Sequence, residues 1–153
     1  GMLSTMDLLP TFAKLAGAEL PDDRTIDGHD ATSFLLGKTE ESPRHEYLYY
    51  SGCLLTGVRS DDWKLVLPRP ANPAGTGWWG RMIEEVKELQ LYSLRTDPAE
   101  TTNVAEEHPG VVAELQKIIE DARLDLGDLD VVGNGMRDFD NKPRTLEASG
   151  KQR

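Results

Sequence analysis

Apolar positions near the front of the chain recur at helical spacing: Leu8, Leu9, Phe12, Leu15 and Ala16 fall on one side of a helical repeat. Ser4 and Asp7 are both residue types whose side-chain oxygens cap helices, and Gly17 is a stop. Pro10 fits a helix only in its first turn, where its missing N–H has no helical partner, so the pattern predicts a start near Asp7. After the turn-rich stretch Leu20–Asp23, Asp30 is expected to cap a brief helix over Ala31–Leu36 that Gly37 ends.

Beyond the polar loop Lys38–Arg44 the period shortens to two. Tyr47–Tyr50, Leu54–Arg59 and Trp63–Leu67 read as strands. Ser51 and Gly52 supply the first turn and Ser60, Asp61 and Asp62 the second, so neighbouring strands are expected to run antiparallel. Pro68, Pro70, Pro73, Gly75, Gly77 and Gly80 break regular structure in a long insertion before a fourth strand at Leu89–Leu94. The strongest helical pattern runs over His108–Leu126, with Val111, Val112, Leu115, Ile118, Ile119, Ala122 and Leu126 at helical intervals and Pro109 at the entrance. Its apolar stripe needs a partner, and a sheet face is the available one. The fold class is therefore α+β: a four-stranded antiparallel sheet packed against a C-terminal helix and preceded by a short helical segment. From Asp128 onward Gly133, Gly135 and Pro143 punctuate polar text expected to run as an extended or mobile tail.

Composition narrows the partners. The 153 residues hold 27 acidic and 17 basic side chains, a formal net charge of −10. That balance argues against nucleic acid and against a polybasic membrane anchor. No apolar run approaches the roughly 18 residues of a spanning helix, so no membrane contact is expected. Cys53 is the only cysteine, which excludes an internal disulfide and a cysteine-based zinc site. Gly1 ahead of Met2 reads as what remains of a removed tag.

Four separated stretches then have to be taken together: STMDLLPTFAKLAGAELP, TIDGHD with LLG, GVRSDDWKLVL, and LYSLRTDPAETTNVAEEHPGVV. In that order they resemble the C-terminal region of the sulfatase family, from Ser4 to about Gly127. The resemblance implies a large N-terminal α/β domain that carries the catalytic centre and a small C-terminal domain of four antiparallel strands and a helix. On it, residues 1–37 are the end of the large domain, 38–127 the small domain and 128–153 a polar tail. Phosphonate monoester hydrolases share the architecture, so the resemblance points to a superfamily more firmly than to a substrate. For the parent enzyme it implies hydrolysis of a sulfate ester with a formylglycine nucleophile and a divalent cation, most often calcium, in enzymes both exported and cytoplasmic. The C-x-P-S-R or S-x-P-S-R signal for formylglycine is absent here: Cys53 is followed by Leu54, Leu55, Thr56 and Gly57. The family's metal-holding Asp-Asp and Asp-Asn pairs precede the matched region, and Asp22-Asp23 and Asp61-Asp62 do not replace them. This stretch is thus expected to hold no catalytic residue, metal or cofactor, and its first partner is the large N-terminal sulfatase domain.

Four residues are candidates for substrate contact. Arg59, beside Lys64 across a hairpin, is suited to a sulfate or carboxylate group, or else to a carboxylate at the interface between domains. Tyr49, with Tyr47 and Tyr50, offers ring surface for packing or for stacking on substrate. Trp78 and Trp79 are consecutive in a glycine-rich insertion, so a regular half-buried strand does not explain both. They fit a substrate entrance, or packing against the large domain or an oligomer partner. His29 reads as a loop residue beside a helix cap, and His45 and His108 stand without a partner at ligand spacing. Leu8, Leu9, Phe12 and Leu15 have lost the large domain as neighbour, so a homo-oligomer is expected, with a stand-alone self-association module as the alternative to an enzyme part.

Overall fold

The computed structural model describes residues 1–136. They form two compact units, Gly1–Glu46 and Tyr47 onward. In the first, Ser4 caps a 3-10 turn over Thr5–Asp7 that runs straight into helix α1, Leu8–Ala16, which places Pro10 in the first turn. Gly17 ends it at φ 67°, a left-handed conformation that glycine adopts without a Cβ penalty. Both residues proposed as caps are used, in different ways. The Ser4 hydroxyl accepts from the Met6 N–H, whereas Asp7 turns its carboxylate away from α1.

That carboxylate is the hub of the first unit. Asp7 Oδ2 accepts from the Ser4 N–H at 2.8 Å and from Arg44 Nε at 2.9 Å. Asp7 Oδ1 accepts from the His29 N–H at 2.8 Å and from Arg44 Nη2 at 2.6 Å. Arg44 Nη2 also donates to the Asp27 carbonyl at 2.9 Å. Thr11, fully buried, donates to the Asp7 carbonyl and accepts from the Ala31 N–H, drawing residues 27–31 against α1. The approach is so close that a Cβ on Gly28 would lie 2.0 Å from the Met6 carbonyl oxygen, which explains a glycine in the Asp27-Gly28-His29 text. The short helix α2 covers Thr32–Leu35, one residue inside the expected bounds at each end; its cap position is Ala31, and Asp30, one residue earlier, accepts from the Thr32 N–H through Oδ1 instead of capping it.

In the second unit β1 (Glu46–Ser51), β2 (Leu54–Ser60), β3 (Trp63–Val66) and β4 (Gln90–Ser93) form one sheet in sequence order. The two-residue turn between β2 and β3 places Asp61 at φ 46°, a conformation aspartate tolerates. Val58, Leu65 and Leu91 are register partners across β2, β3 and β4, and none is reached by solvent. Helix α3, Pro109–Asp125, lays Leu115, Ile119 and Ala122 on that row. The unit is the α+β layer expected from the pattern.

Two stretches differ from expectation. The insertion after β3 is ordered despite its prolines and glycines: Arg69 and Val86 exchange backbone hydrogen bonds at its neck, and Gly77–Met82 is a 3-10 turn. Side-chain-to-backbone bonds and a tight turn hold it, and neither has a period to read. The text from Asp128 does not run out at once as a tail. Instead β5 (Gly127–Asp128) pairs with β6 (Val131–Val132), and buried Asp128 accepts from the Leu55 N–H at 2.9 Å and from Arg123 Nη1 at 2.6 Å. Tyr50 donates its hydroxyl to the Gly127 carbonyl at 2.8 Å, and burial first of all pushes its pKa up to about 12. The remainder of the expected tail, 137–153, lies outside the described residues.

The Asp7–Arg44 pair yields a pH-dependent expectation. The Arg44 hydrogen bonds hold the Asp7 carboxyl well below the usual carboxylate range. The pair's contribution is therefore complete above about pH 4, where an unfolded aspartate is ionised, and declines as pH falls below that. Asp7→Asn leaves a buried guanidinium uncompensated and is expected to cost about 3–5 kcal/mol at neutral pH. Denaturant titrations at pH 7 and pH 3 measure this, with the gap between wild type and variant narrowing in acid.

Candidate functional site

The sheet face away from α3 carries the first group of candidates. Arg59, Lys64 and Tyr92 are register partners across β2, β3 and β4, one residue out of step with the core row and so on the opposite face. Arg59 Nε donates to the Asp61 carbonyl at 2.8 Å. Lys64 Nζ donates to both carboxylate oxygens of Glu100, at 2.7 and 2.6 Å, and lies 5.0 Å from the centre of the Tyr49 ring. Tyr47 meets Tyr49 edge-on at 5.1 Å between ring centres. Tyr49 is thus engaged by Lys64, whose charge already has a carboxylate, and Arg59 stands beside that pair on the neighbouring strand.

The Asp97–Asn103 text explains how Glu100 is presented. Asp97 Oδ2 accepts from the backbone N–H of Thr101 and Thr102, at 2.8 and 2.9 Å, tying the segment into a tight loop. These bonds, that of Thr102 foremost, hold the Asp97 carboxyl below its ordinary pKa. Asn103 Oδ1 then accepts from the Leu91 N–H and its Nδ2 donates to the Leu89 carbonyl, so a side-chain amide completes the outer edge of β4. Glu100 is pushed out at φ 56°, towards Lys64. His108 sits at the entrance of α3 with its ring 4.9 Å from that of Trp63.

Trp78 and Trp79 belong to the insertion and take opposite roles. Trp79 lies over the turn between β1 and β2, where a Cβ on Gly52 would come within 2.3 Å of its ring. Trp78 is 73% exposed and Met82, in the same 3-10 turn, is 75% exposed. Gly52 precedes the first residue of β2 and Arg59 is near its other end, so the tryptophans and Arg59 do not converge on one point. The sequence reading missed Arg69 at the neck of the insertion. Its signal was the Pro68-Arg69-Pro70 text, which fixes an arginine on extended backbone.

Two hollows accompany these features. One of about 230 Å³ is lined by Tyr50, Cys53, Leu126, Asp128 and Met136, and one of about 250 Å³ by Asp30, Phe34, Glu41 and His45. The chain's residues do not fit a divalent cation: among the described residues no group of three or more His, Cys, Asp or Glu side chains converges to hold one. Asp23 is taken by Arg24 at 2.7 Å and Asp62 by Arg95 at 3.2 Å. No described helix is long and apolar enough to cross a membrane.

No protein-family model matches the chain. Among curated proteins it is 32% identical over 123 residues to N-acetylgalactosamine-6-O-sulfatase of Bacteroides thetaiotaomicron, covering 80% of this chain and 24% of that protein. It is 32% identical over 136 residues to human steryl-sulfatase, covering 78% of this chain and 23% of that enzyme. A solved Bacteroides thetaiotaomicron protein from work on the metabolism of multiple glycosaminoglycans superposes with a TM-score of 0.60 at 32% identity, over 76% of this chain and 24% of its own. The PsFucS1 sulfatase of Pseudoalteromonas shares the fold with a TM-score of 0.63 at 21% identity, over 79% of this chain and 25% of its own. The chain thus spans about a quarter of the length of the relatives it matches, in their C-terminal part.

Proposed function

The chain belongs to the sulfatase family, as its C-terminal part, and on that premise we propose that the whole protein hydrolyses a sulfate ester to an alcohol or phenol and sulfate. The observation that carries the reading is identity to named sulfatases through about four-fifths of the chain, rather than in one motif. These relatives favour a sulfate over a phosphonate ester. By their names the sulfate sits on an amino sugar in one and on a sterol in the other, so the shared element is the ester and not its alcohol. The formylglycine nucleophile and the divalent cation, calcium in the usual case, belong in this reading to a larger domain ahead of these residues.

The chain's own part is to complete the fold and cover one side of the catalytic cleft. Trp78, held out on a ring-anchored insertion, is the best placed of the four candidates to meet substrate; Trp79 supports it, and Arg59 and Tyr49 belong to a separate patch on the sheet. The side chains that α1 leaves in solvent, Leu9, Phe12 and Leu15 among them, suit contact with the larger domain. In its absence they favour self-association, which light scattering over a concentration series detects as a rising mass.

Expression of the reading frame together with the sequence encoded ahead of it, assayed on an aryl sulfate, tests the proposal. The longer protein is expected to turn over and the 153-residue chain alone to be inactive. Trp78→Ala is expected to raise KM several-fold with little change in kcat, as loss of uniform binding does. Turnover by the purified chain alone, or an upstream frame without C-x-P-S-R or S-x-P-S-R, contradicts the proposal.

A further inference from the structure

Arg69 is a half-buried cation at the neck of the insertion. Its backbone closes the neck of the insertion, donating to and accepting from Val86 at 2.8 Å each way. Among the described residues its Nη1 reaches two main-chain carbonyls, Thr56 at 3.4 Å and Leu67 at 3.2 Å. Its Nε is shut away from solvent without a hydrogen-bond partner, and among the described residues no carboxylate forms an ion pair with it. Arg24, Arg44, Lys64, Arg95 and Arg123 by contrast each hold a carboxylate at 3.2 Å or less. With a net charge of −10, the chain has no shortage of acids to supply one. Burial accordingly lowers the pKa of Arg69, with Glu84 acting weakly in the other direction.

An unpaired, desolvated donor on a charged group is costly to the fold, and the partner that removes the deficit is an oxyanion. The Nε–Nη2 edge of a guanidinium offers two parallel N–H groups, which match two oxygens of one sulfate. Nη2 makes no hydrogen bond to a described residue and is not among the nitrogens shut away from solvent, so it is the nitrogen an arriving oxyanion meets first, with Nε behind it on the same edge. The mount is rigid. Asn72 donates its N–H to the Ile83 carbonyl at 3.2 Å, and Thr76, 1% exposed, bonds the Pro73 carbonyl at 2.5 Å.

We propose that Arg69 is a receptor for a sulfate oxyanion, carried on a saccharide or free in solution, at the neck of the tryptophan-bearing insertion. The choice of sulfate among oxyanions rests on the sulfatase reading above. Calorimetric titration of the full chain at constant ionic strength, with N-acetylgalactosamine 6-sulfate, the unsulfated sugar and sodium sulfate, tests it. The sulfated sugar is expected to bind at least about tenfold more tightly than the unsulfated one, and Arg69→Ala to lose about tenfold or more. Arg69→Lys, which keeps the charge without the fork and spares the fold, is expected to fall between. Sodium sulfate binding as tightly as the sulfated sugar identifies the free ion as ligand, and weaker binding identifies the ester; both support the assignment. Sulfate-dependent binding that is absent in wild type, or undiminished in both Arg69 variants, overturns it. A longer protein that hydrolyses sulfate esters with the same KM when Arg69 is lysine also overturns it, and leaves the hydrolase reading standing.

Discussion

Everything in the larger unit depends on one buried row, Val58, Leu65 and Leu91, closed by Leu115 and Ile119 of α3. Because side chains alternate along a strand, a one-residue slip of β3 would turn Leu65 to the outer face and bring Lys64 into the core. Burial thereby sets the register, and the register places Lys64 on the outer face beside Arg59, within reach of Tyr49 and Glu100. The same row fixes the Val66 end of β3, from which the long insertion departs, beside Gln90, where it returns as β4. Asn103 then covers a backbone N–H on β4, the outer strand, and Asp128 covers one at the start of β2, within the sheet.

Among the described residues some charges link segments, and others, Arg69 among them, hold no carboxylate. Asp7 with Arg44 and Asp128 with Arg123 are short, largely buried pairs that also accept backbone N–H groups, so they link segments distant in sequence. Arg69 is half-buried and has no carboxylate partner among the described residues. Trp79 and Trp78 show the same division among apolar side chains, one ring seated over Gly52 and the other left in water. Order in the insertion is what makes this division matter: side chains displayed on a fixed loop are positioned before any ligand arrives.

Local chemistry was legible in the sequence. Pro10 and Gly17 bounded α1, the Asp61-Asp62 turn set a hairpin, and the apolar stripe of α3 together with the period-two segments gave the α+β layer. Contacts over long separations were not. Asp7 reads as a cap because its neighbours in sequence suit one, while its real partner, Arg44, lies 37 residues away. Strands of two residues, such as Gly127–Asp128 and Val131–Val132, are too short to show a period and passed for tail. The insertion reads as irregular because Thr76, Asn72 and the Arg69–Val86 bridge hold it through main-chain partners that no pattern of apolar residues reports. Of the candidate residues, Trp78 and Trp79 stand out by composition, whereas the prolines on either side of Arg69 fix its backbone and say nothing of its missing partner.

Presentation of Trp78 and Arg69 requires the insertion to be a fixed platform seated on the sheet. Amide hydrogen exchange, resolved by residue, addresses this directly. The Arg69 and Val86 amides, each bonded across the neck, are expected to exchange orders of magnitude more slowly than an unstructured chain and to approach the protection of the Leu65 amide in the core. Exchange of Arg69 and Val86 at the rate of free peptide, with Leu65 still protected, would mean that the insertion is not held and that neither Trp78 nor Arg69 is presented by the fold.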